Sequence, residues 1–177
     1  MSALQRLSFR RYFGVLAVDL WPIYRMAEKT MRGRGTDPVK QFSVFTANRL
    51  GRLHDLIGFF GSRRVHVLAL TVLDTTDSAI LRLIVDDPDQ ARALLHEHGF
   101  AFTESELVVV EVDGSSGLGQ MMAALLEAEL NVNYLYCFIP HPNGKSLLAL
   151  SMEDNEIAAN ILRKHQFRVL TQSDISR

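Results

Sequence analysis

"VHVLALTVLDTTDSAILRLIVDDPDQARALLHEHGF", residues 65–100, carries three elements in succession. Val65–Leu73 and Ala79–Val85 are short runs of β-branched and aliphatic residues, the composition of strands. Asp74, Thr75, Thr76 and Asp77 between them are short polar residues that favour a turn, so the two runs are predicted to form a hairpin. A helix is predicted next. Asp87 stands as its N-cap, Pro88 at its first position and Gly99 just past its last turn.

Toward the amino terminus, Val39–Thr46 alternates and is rich in strand formers. Leu53, Leu56, Ile57 and Phe60 then form an apolar stripe along a helix over 50–60. Gly58 and Gly61 fall within that helix, where each costs about 1 kcal/mol against alanine. They are read as permitting close helix packing or marking an early helix end. After Gly99, residues 100–103 begin another extended piece.

The same order then recurs. "SELVVVEV" (105–112) is a strand, "GSSGLGQMMAALLEAEL" (114–130) a loop and helix, and "NVNYLYCFI" (131–139) a strand. Asn143-Gly144 is a favoured hairpin pair. "SLLALSM" (146–152) is a strand, residues 153–167 a helix capped by Asp154, and "RVLTQ" (168–172) a closing strand. At an offset of about 65, Val44 falls on Val109, Leu53 on Leu118, Val67 on Val132 and Leu70 on Leu135. One inserted residue then aligns Leu81 with Leu147 and Pro88 with Asp154. The chain is therefore read as a duplicated βαββαβ unit of the α+β class. Each copy is an antiparallel four-stranded sheet with two helices on one face. The bare sheet face needs a cover, from the sister copy or from another chain.

Bulk properties limit the function. The chain has 177 residues, 47% hydrophobic and 22% charged, in keeping with a folded domain or two. A net charge of −1 argues against a dedicated nucleic-acid binder. The single cysteine, Cys137, excludes an intramolecular disulfide and a multi-cysteine zinc site, and is expected to pack as a small hydrophobe. No apolar run reaches the roughly 20 residues that cross a bilayer, and a cytoplasmic location is expected.

Residues 1–38 differ in texture, carrying seven Lys/Arg against three Asp/Glu. They read as an amino-terminal extension ending in the linker "MRGRGTDP". Asp19 and Pro22 interrupt its apolar run, which disfavours an export signal. A short amphipathic helix, an unstructured extension or a natural start at Met31 are the alternatives.

No catalytic constellation emerges. His96 and His98 are two apart on a helix, so they point to different sides. "GSSGLG" (114–119) lacks dinucleotide-loop spacing, and no nucleophile elbow or Walker loop occurs.

The glycine loop "NRLGRL" (48–53), its following helix, and "VHVLALTVLDTTDSAILRLIVDDP" (65–88) together resemble the ACT domain, a small-ligand-sensing regulatory module. The likeness covers both copies, roughly 39–174, and is greatest to small stand-alone proteins built of two ACT units. Gly51-x-Leu53 carries the pattern in the first copy; Ser116-Gly117-Leu118 is its looser counterpart. The family usually has proline before the glycine, where Leu50 and Ser115 or Ser116 stand here. The resemblance implies two ferredoxin-like units, 39–104 and 105–174. It also implies a non-enzymatic protein without cofactor that binds an amino-acid effector between units, as a homodimer or with a partner enzyme.

The implied ligand residues are Asn48, Arg49, Leu50, Gly51, Arg52, Leu53 and His66 in the first copy. In the second they are Asp113, Ser115, Ser116, Gly117, Leu118, Asn131 and Asn133. Elementary chemistry agrees with the loops. A helix N-terminus offers unpaired N–H groups and a positive dipole end to a carboxylate. Asn48 could bond an ammonium or a carboxylate, and Asp113 could pair with an ammonium. Tyr134 and Tyr136 are read as packing residues with wet hydroxyls. A regulatory subunit of a metabolic enzyme, such as that of acetolactate synthase, is the competing reading.

Overall fold

β1 (Val39–Ala47) sends Phe42 and Val44 to one face and Val39, Gln41 and Ser43 to the other. The computed structural model describes residues 37–47, 49, 51–75, 78–139 and 145–176. The expectations for residues 1–36, Asn48, Leu50 and the Asn143-Gly144 turn lie outside these. After β1 come α1 (Arg52–Ser62), β2 (Val67–Thr75), β3 (Ser78–Val85), α2 (Pro88–Glu97) and β4 (Ala101–Val112). The order repeats with α3 (Gly114–Glu127), β5 (Val132–Cys137), β6 (Ser146–Met152), α4 (Asn155–Lys164) and β7 (Arg168–Leu170). A short α5 (Gln172–Ile175) follows β7.

All strand pairs are antiparallel, in the order β2-β3-β1-β4-β6-β5, with β7 also on β4. One feature departs from two separate sheets: β4 serves both copies. Its first half, Ala101–Leu107, pairs with β1; its second, Val108–Val112, pairs with β6 and β7. The boundary between residues 104 and 105 thus falls inside a single strand. The sheet curls until its two ends meet. Ala69 bridges Phe138, and Ile139 N–H donates to the Leu68 carbonyl at 2.8 Å.

Curling creates three apolar layers. α1 and α2 cover the outer face of the first copy with Leu56, Phe60, Leu94 and Leu95 on Phe42, Leu81 and Leu83. α3 and α4 cover the second with Met121, Leu125 and Leu162 on Val110, Leu148 and Leu150. The inner face closes on itself through Val39, Ile84 and Ala69 from one copy and Val109, Tyr136 and Leu147 from the other. The sister copy therefore supplies the cover that each sheet face required.

The repeat is legible in backbone detail. Register shifts occur at Val67/Ala69 and again at Val132/Tyr134. Left-handed residues follow the first helix of each copy, Arg64 at φ 60° and Glu129 at φ 55°. The helix predicted from Asp87 and Pro88 forms, and Asp87 accepts from Gln90 N–H at 3.0 Å. Asp154 caps α4 likewise, accepting from Ile157 N–H at 2.9 Å. On the outer surface, Arg92 binds both oxygens of Glu104, at 2.6 and 2.8 Å, tying α2 to β4. That guanidinium holds the Glu104 carboxyl below its ordinary range.

Two local expectations change. Gly58 and Gly61 lie inside α1, but a Cβ on either would meet nothing within 4 Å, so neither serves close packing. Gly58→Ala and Gly61→Ala should each stabilise the fold by about 0.5–1 kcal/mol. Thermal unfolding of the single variants checks this, and a lowered midpoint would contradict it. Cys137 is exposed on β5 rather than packed inside. It alternates with the inward Tyr136 and faces out on a strand that β6 pairs along its length.

Candidate functional site

The two loops sit at equivalent joints, each where an inner strand of its unit gives way to a helix. At the first, Gly51 adopts φ 90°, ψ −20°, a left-handed conformation costly for a residue with a Cβ. At the second, Gly114 has φ 57°. Neither α1 nor α3 has a side-chain cap, whereas α2 and α4 are capped by Asp87 and Asp154. The two helices that follow the glycine loops therefore present exposed first turns with no side-chain hydrogen bond at the capping position, Gly51 in α1 and Asp113 in α3.

The loop residues divide by environment. Arg49 is exposed. Arg52 donates to Thr46 Oγ1 at 3.2 Å and lies 5.3 Å from the Phe100 ring centre, held back along the helix. Leu53 is half-buried against the outer core. His66 N–H and Nδ1 engage the Asp86 carboxylate at 2.7 and 2.9 Å, fastening the start of β2 to the end of β3. In the second copy Ser115 and Ser116 are exposed, and Ser116 Oγ lies 3.4 Å from the Asp113 carbonyl. Asp113 approaches Lys145 at 3.7 Å, and the hydrogen bond to Glu111, then the charges of both carboxylates, raise the lysine's pKa. Gly117 is buried, and a Cβ placed on it would lie 3.5 Å from Val112 Cβ, an ordinary contact; Leu118 is half exposed.

Asn131 and Asn133 are exposed. They stand at and on β5, and β6 separates β5 from the β4–α3 joint. Likewise β3 separates β2 from the β1–α1 joint. Within each unit, therefore, a strand lies between the glycine loop and the strand that carries or adjoins that unit's other implied ligand residues. Among the described residues no group of three or more His, Cys, Asp and Glu is arranged to hold a metal. No described helix is long and apolar enough to cross a membrane.

A polar cluster on the inner face escaped the sequence reading. Gln41, 1% exposed, receives the Tyr136 hydroxyl on Oε1 at 2.9 Å. Its Nε2 reaches Tyr134 OH at 2.9 Å, Ser105 Oγ at 3.1 Å and Ser43 Oγ at 3.2 Å. Burial pushes the Tyr136 phenol above its ordinary range, keeping it a donor. So Tyr136 packs as expected, yet its hydroxyl is bonded inside the protein and not wetted. The signal was there in Gln41 and Ser43, two polar residues on the face of β1 that otherwise carries Val39, Phe45 and Ala47.

A family model described as the ACT domain pair matches residues 37–177. The chain belongs to the ACT domain pair family. ACT domains are regulatory modules that bind small ligands. A Bacteroides thetaiotaomicron protein of known crystal structure is similar over 79% of this chain and 96% of its own, at 24% identity and a TM-score of 0.73. The regulatory subunit of aspartate kinase from Thermus thermophilus, in ligand-free form, shares the fold over 73% of this chain and 93% of its own, at 12% identity and a TM-score of 0.53. Its Thermus flavus counterpart covers 77% and 98%, at 13% identity and a TM-score of 0.50. These likenesses concern fold. Among curated proteins, no sequence matches this ACT domain pair significantly.

Proposed function

We propose that this ACT domain pair is a non-catalytic regulatory protein that binds an amino acid, or a similar small metabolite, at contacts between ACT units. The observation that carries this is the pair of glycine loops leading into uncapped helices at repeat-equivalent joints. An uncapped first turn supplies N–H donors and a positive dipole end to a carboxylate. Arg49 and Arg52 make the first loop anion-seeking, while Asp113 with Ser115 and Ser116 makes the second more neutral. We assign the strand that completes each site to a neighbouring unit, from a second copy or a partner enzyme; this is supported by the strand that separates each loop from its own unit's other implied ligand residues. The units we assign are 39–104 and 105–174, meeting within β4. We place the protein in the cytoplasm, working without a cofactor, nucleic acid or membrane.

A role as a subunit of a metabolic enzyme is favoured by the fold likeness to regulatory subunits of aspartate kinase. A repeated ACT unit in the second half lowers the acetolactate synthase version of that reading. Co-purification with a catalytic subunit would support the partner-enzyme form.

Calorimetry against the twenty amino acids should give at least one saturable ligand. Arg52→Glu and Ser115→Glu each place an acidic residue in a first helical turn, which favours the helix while repelling a ligand carboxylate. One of them should weaken that ligand about tenfold or more, with the unfolding midpoint nearly unchanged. Silence across the panel, or a ligand indifferent to both variants, would refute the reading.

A further inference from the structure

The inner face of the curled sheet is ordered in rows across the strands. Register aligns Ser105, Gln41, Ile84 and Ala69 in one row. The next contains Thr103, Ser43, Arg82 and Thr71, all polar. The row beyond contains Ala101, Phe45, Ile80 and Leu73, all apolar. Phe45 is 43% exposed and Leu73 36%, so this last row is open to solvent.

A polar row on a concave sheet face needs a reason. Arg82 is half-buried, and among the described residues its guanidinium has no ion pair and no hydrogen bond. Its one specific contact is stacking, with Cζ 3.6 Å from the centre of the Tyr134 ring. Stacking uses the flat face of a guanidinium and leaves its in-plane N–H groups available for a carboxylate. The neighbouring hydroxyls point the same way. Tyr136 fixes the amide of Gln41, whose two Nε2 protons serve three oxygens, those of Ser43, Ser105 and Tyr134. Each hydroxyl accepts there, so its own proton remains to be donated. Among the described residues none of those three protons has an acceptor. A partly buried cation and three hydroxyl donors with no acceptor form an anion site.

We propose that this face holds a binding site distinct from the two glycine loops, in which Arg82, Ser43, Ser105 and Tyr134 take the carboxylate of a small monocarboxylic acid and Phe45, Ile80 and Leu73 take its apolar chain. Successive same-face rows along a strand are about 7 Å apart, the reach of a carboxylate with a chain of three or four carbons. None of the residues that register places in these rows on β1–β4 is a carboxylate able to receive an ammonium. Glu111, on the same face of β4, lies beyond Leu107 and Val109 and is held by Lys145 and Arg168. The site therefore favours 2-oxo or unsubstituted acids over amino acids. Residues of both repeats build it, with Arg82 and Ser43 from the first and Tyr134 from the second.

Three probes of one carbon skeleton test this on the full chain by calorimetry: 4-methyl-2-oxopentanoate, 4-methylpentanoate and L-leucine. The first two should saturate at one per chain. L-leucine should bind this site about tenfold or more weakly. Arg82→Gln should weaken both acids about tenfold or more, while Arg52→Glu and Ser115→Glu leave them unchanged. If Arg82→Gln fails to fold, Ser43→Ala decides, with a several-fold loss expected from one hydroxyl. The proposal is overturned if neither acid binds, if binding survives the deciding variant, or if the loop variants abolish it. Binding of L-leucine alone, lost with the loop variants, overturns this site and leaves the loop function standing. Binding of the acids alone, lost with Arg82→Gln, supports this site and leaves the loop function to be decided by the twenty-amino-acid panel.

Discussion

Dividing the chain between Glu104 and Ser105 should yield two halves that do not fold separately. The cut passes through β4 and removes Ser105–Leu107 from their pairing with Val39–Gln41. It also splits the inner core. Val39, Leu68, Ala69 and Ile84 stay with the first half, while Leu107, Val109, Tyr136, Phe138 and Leu147 go with the second. A buried aliphatic or aromatic side chain contributes about 1.5–3 kcal/mol. Exposing the first half's share alone therefore costs roughly 5 kcal/mol, the whole stability of a small domain. The carboxyl terminus adds a further tie. Gln172, 6% exposed, accepts from Lys40 N–H at 3.0 Å, and its own backbone N–H donates to the Asp37 carbonyl at 3.0 Å. Each half alone should show little cooperative melting by circular dichroism, and mixing should restore the native spectrum. A cooperatively melting monomeric half would overturn this account of the shared strand.

The second large effect belongs to Gln41→Leu, which should cost about 2–4 kcal/mol. Leucine nearly fills the volume, so packing is not the cause. The loss comes from Tyr136, 8% exposed, whose hydroxyl keeps no partner once Oε1 is gone. Tyr136→Phe alone should cost less, because the Gln41 amide still reaches three oxygens through Nε2. The double variant should recover part of the Gln41→Leu loss, since it removes both ends of the orphaned bond. Urea unfolding of the three variants measures the cycle. A single-variant loss below about 1 kcal/mol, or a double variant with strictly additive costs, would show that this network does not hold the inner face.

How far the fold was legible depended on the range of each interaction. The Asp87 and Asp154 caps were readable because a cap joins a side chain to a backbone N–H three residues on. The duplication was readable because equivalent positions recur at a fixed offset, and the two register shifts and paired left-handed residues repeat it in the backbone. The glycine loops were readable as special joints, since only glycine takes φ 90° at Gly51 without strain. The burial of Gly117 was not readable, because it depends on how α3 lies against Val112 at the end of β4.

The sequence by itself determined the order of elements within the repeat, the capped starts of α2 and α4 and the doubling of one βαββαβ unit, because periodicity and capping act over a few residues; it read 168–172 as strand, where Gln172 instead starts α5. Tertiary structure alone decided that one strand serves both units, that the sheet closes at Ala69 and Phe138, and that Gln41, Ser43, Arg82 and Tyr134 share one face. Those outcomes depend on strand register and sheet curl. Both join residues up to 95 positions apart, and a shift of one residue would turn each side chain to the opposite face.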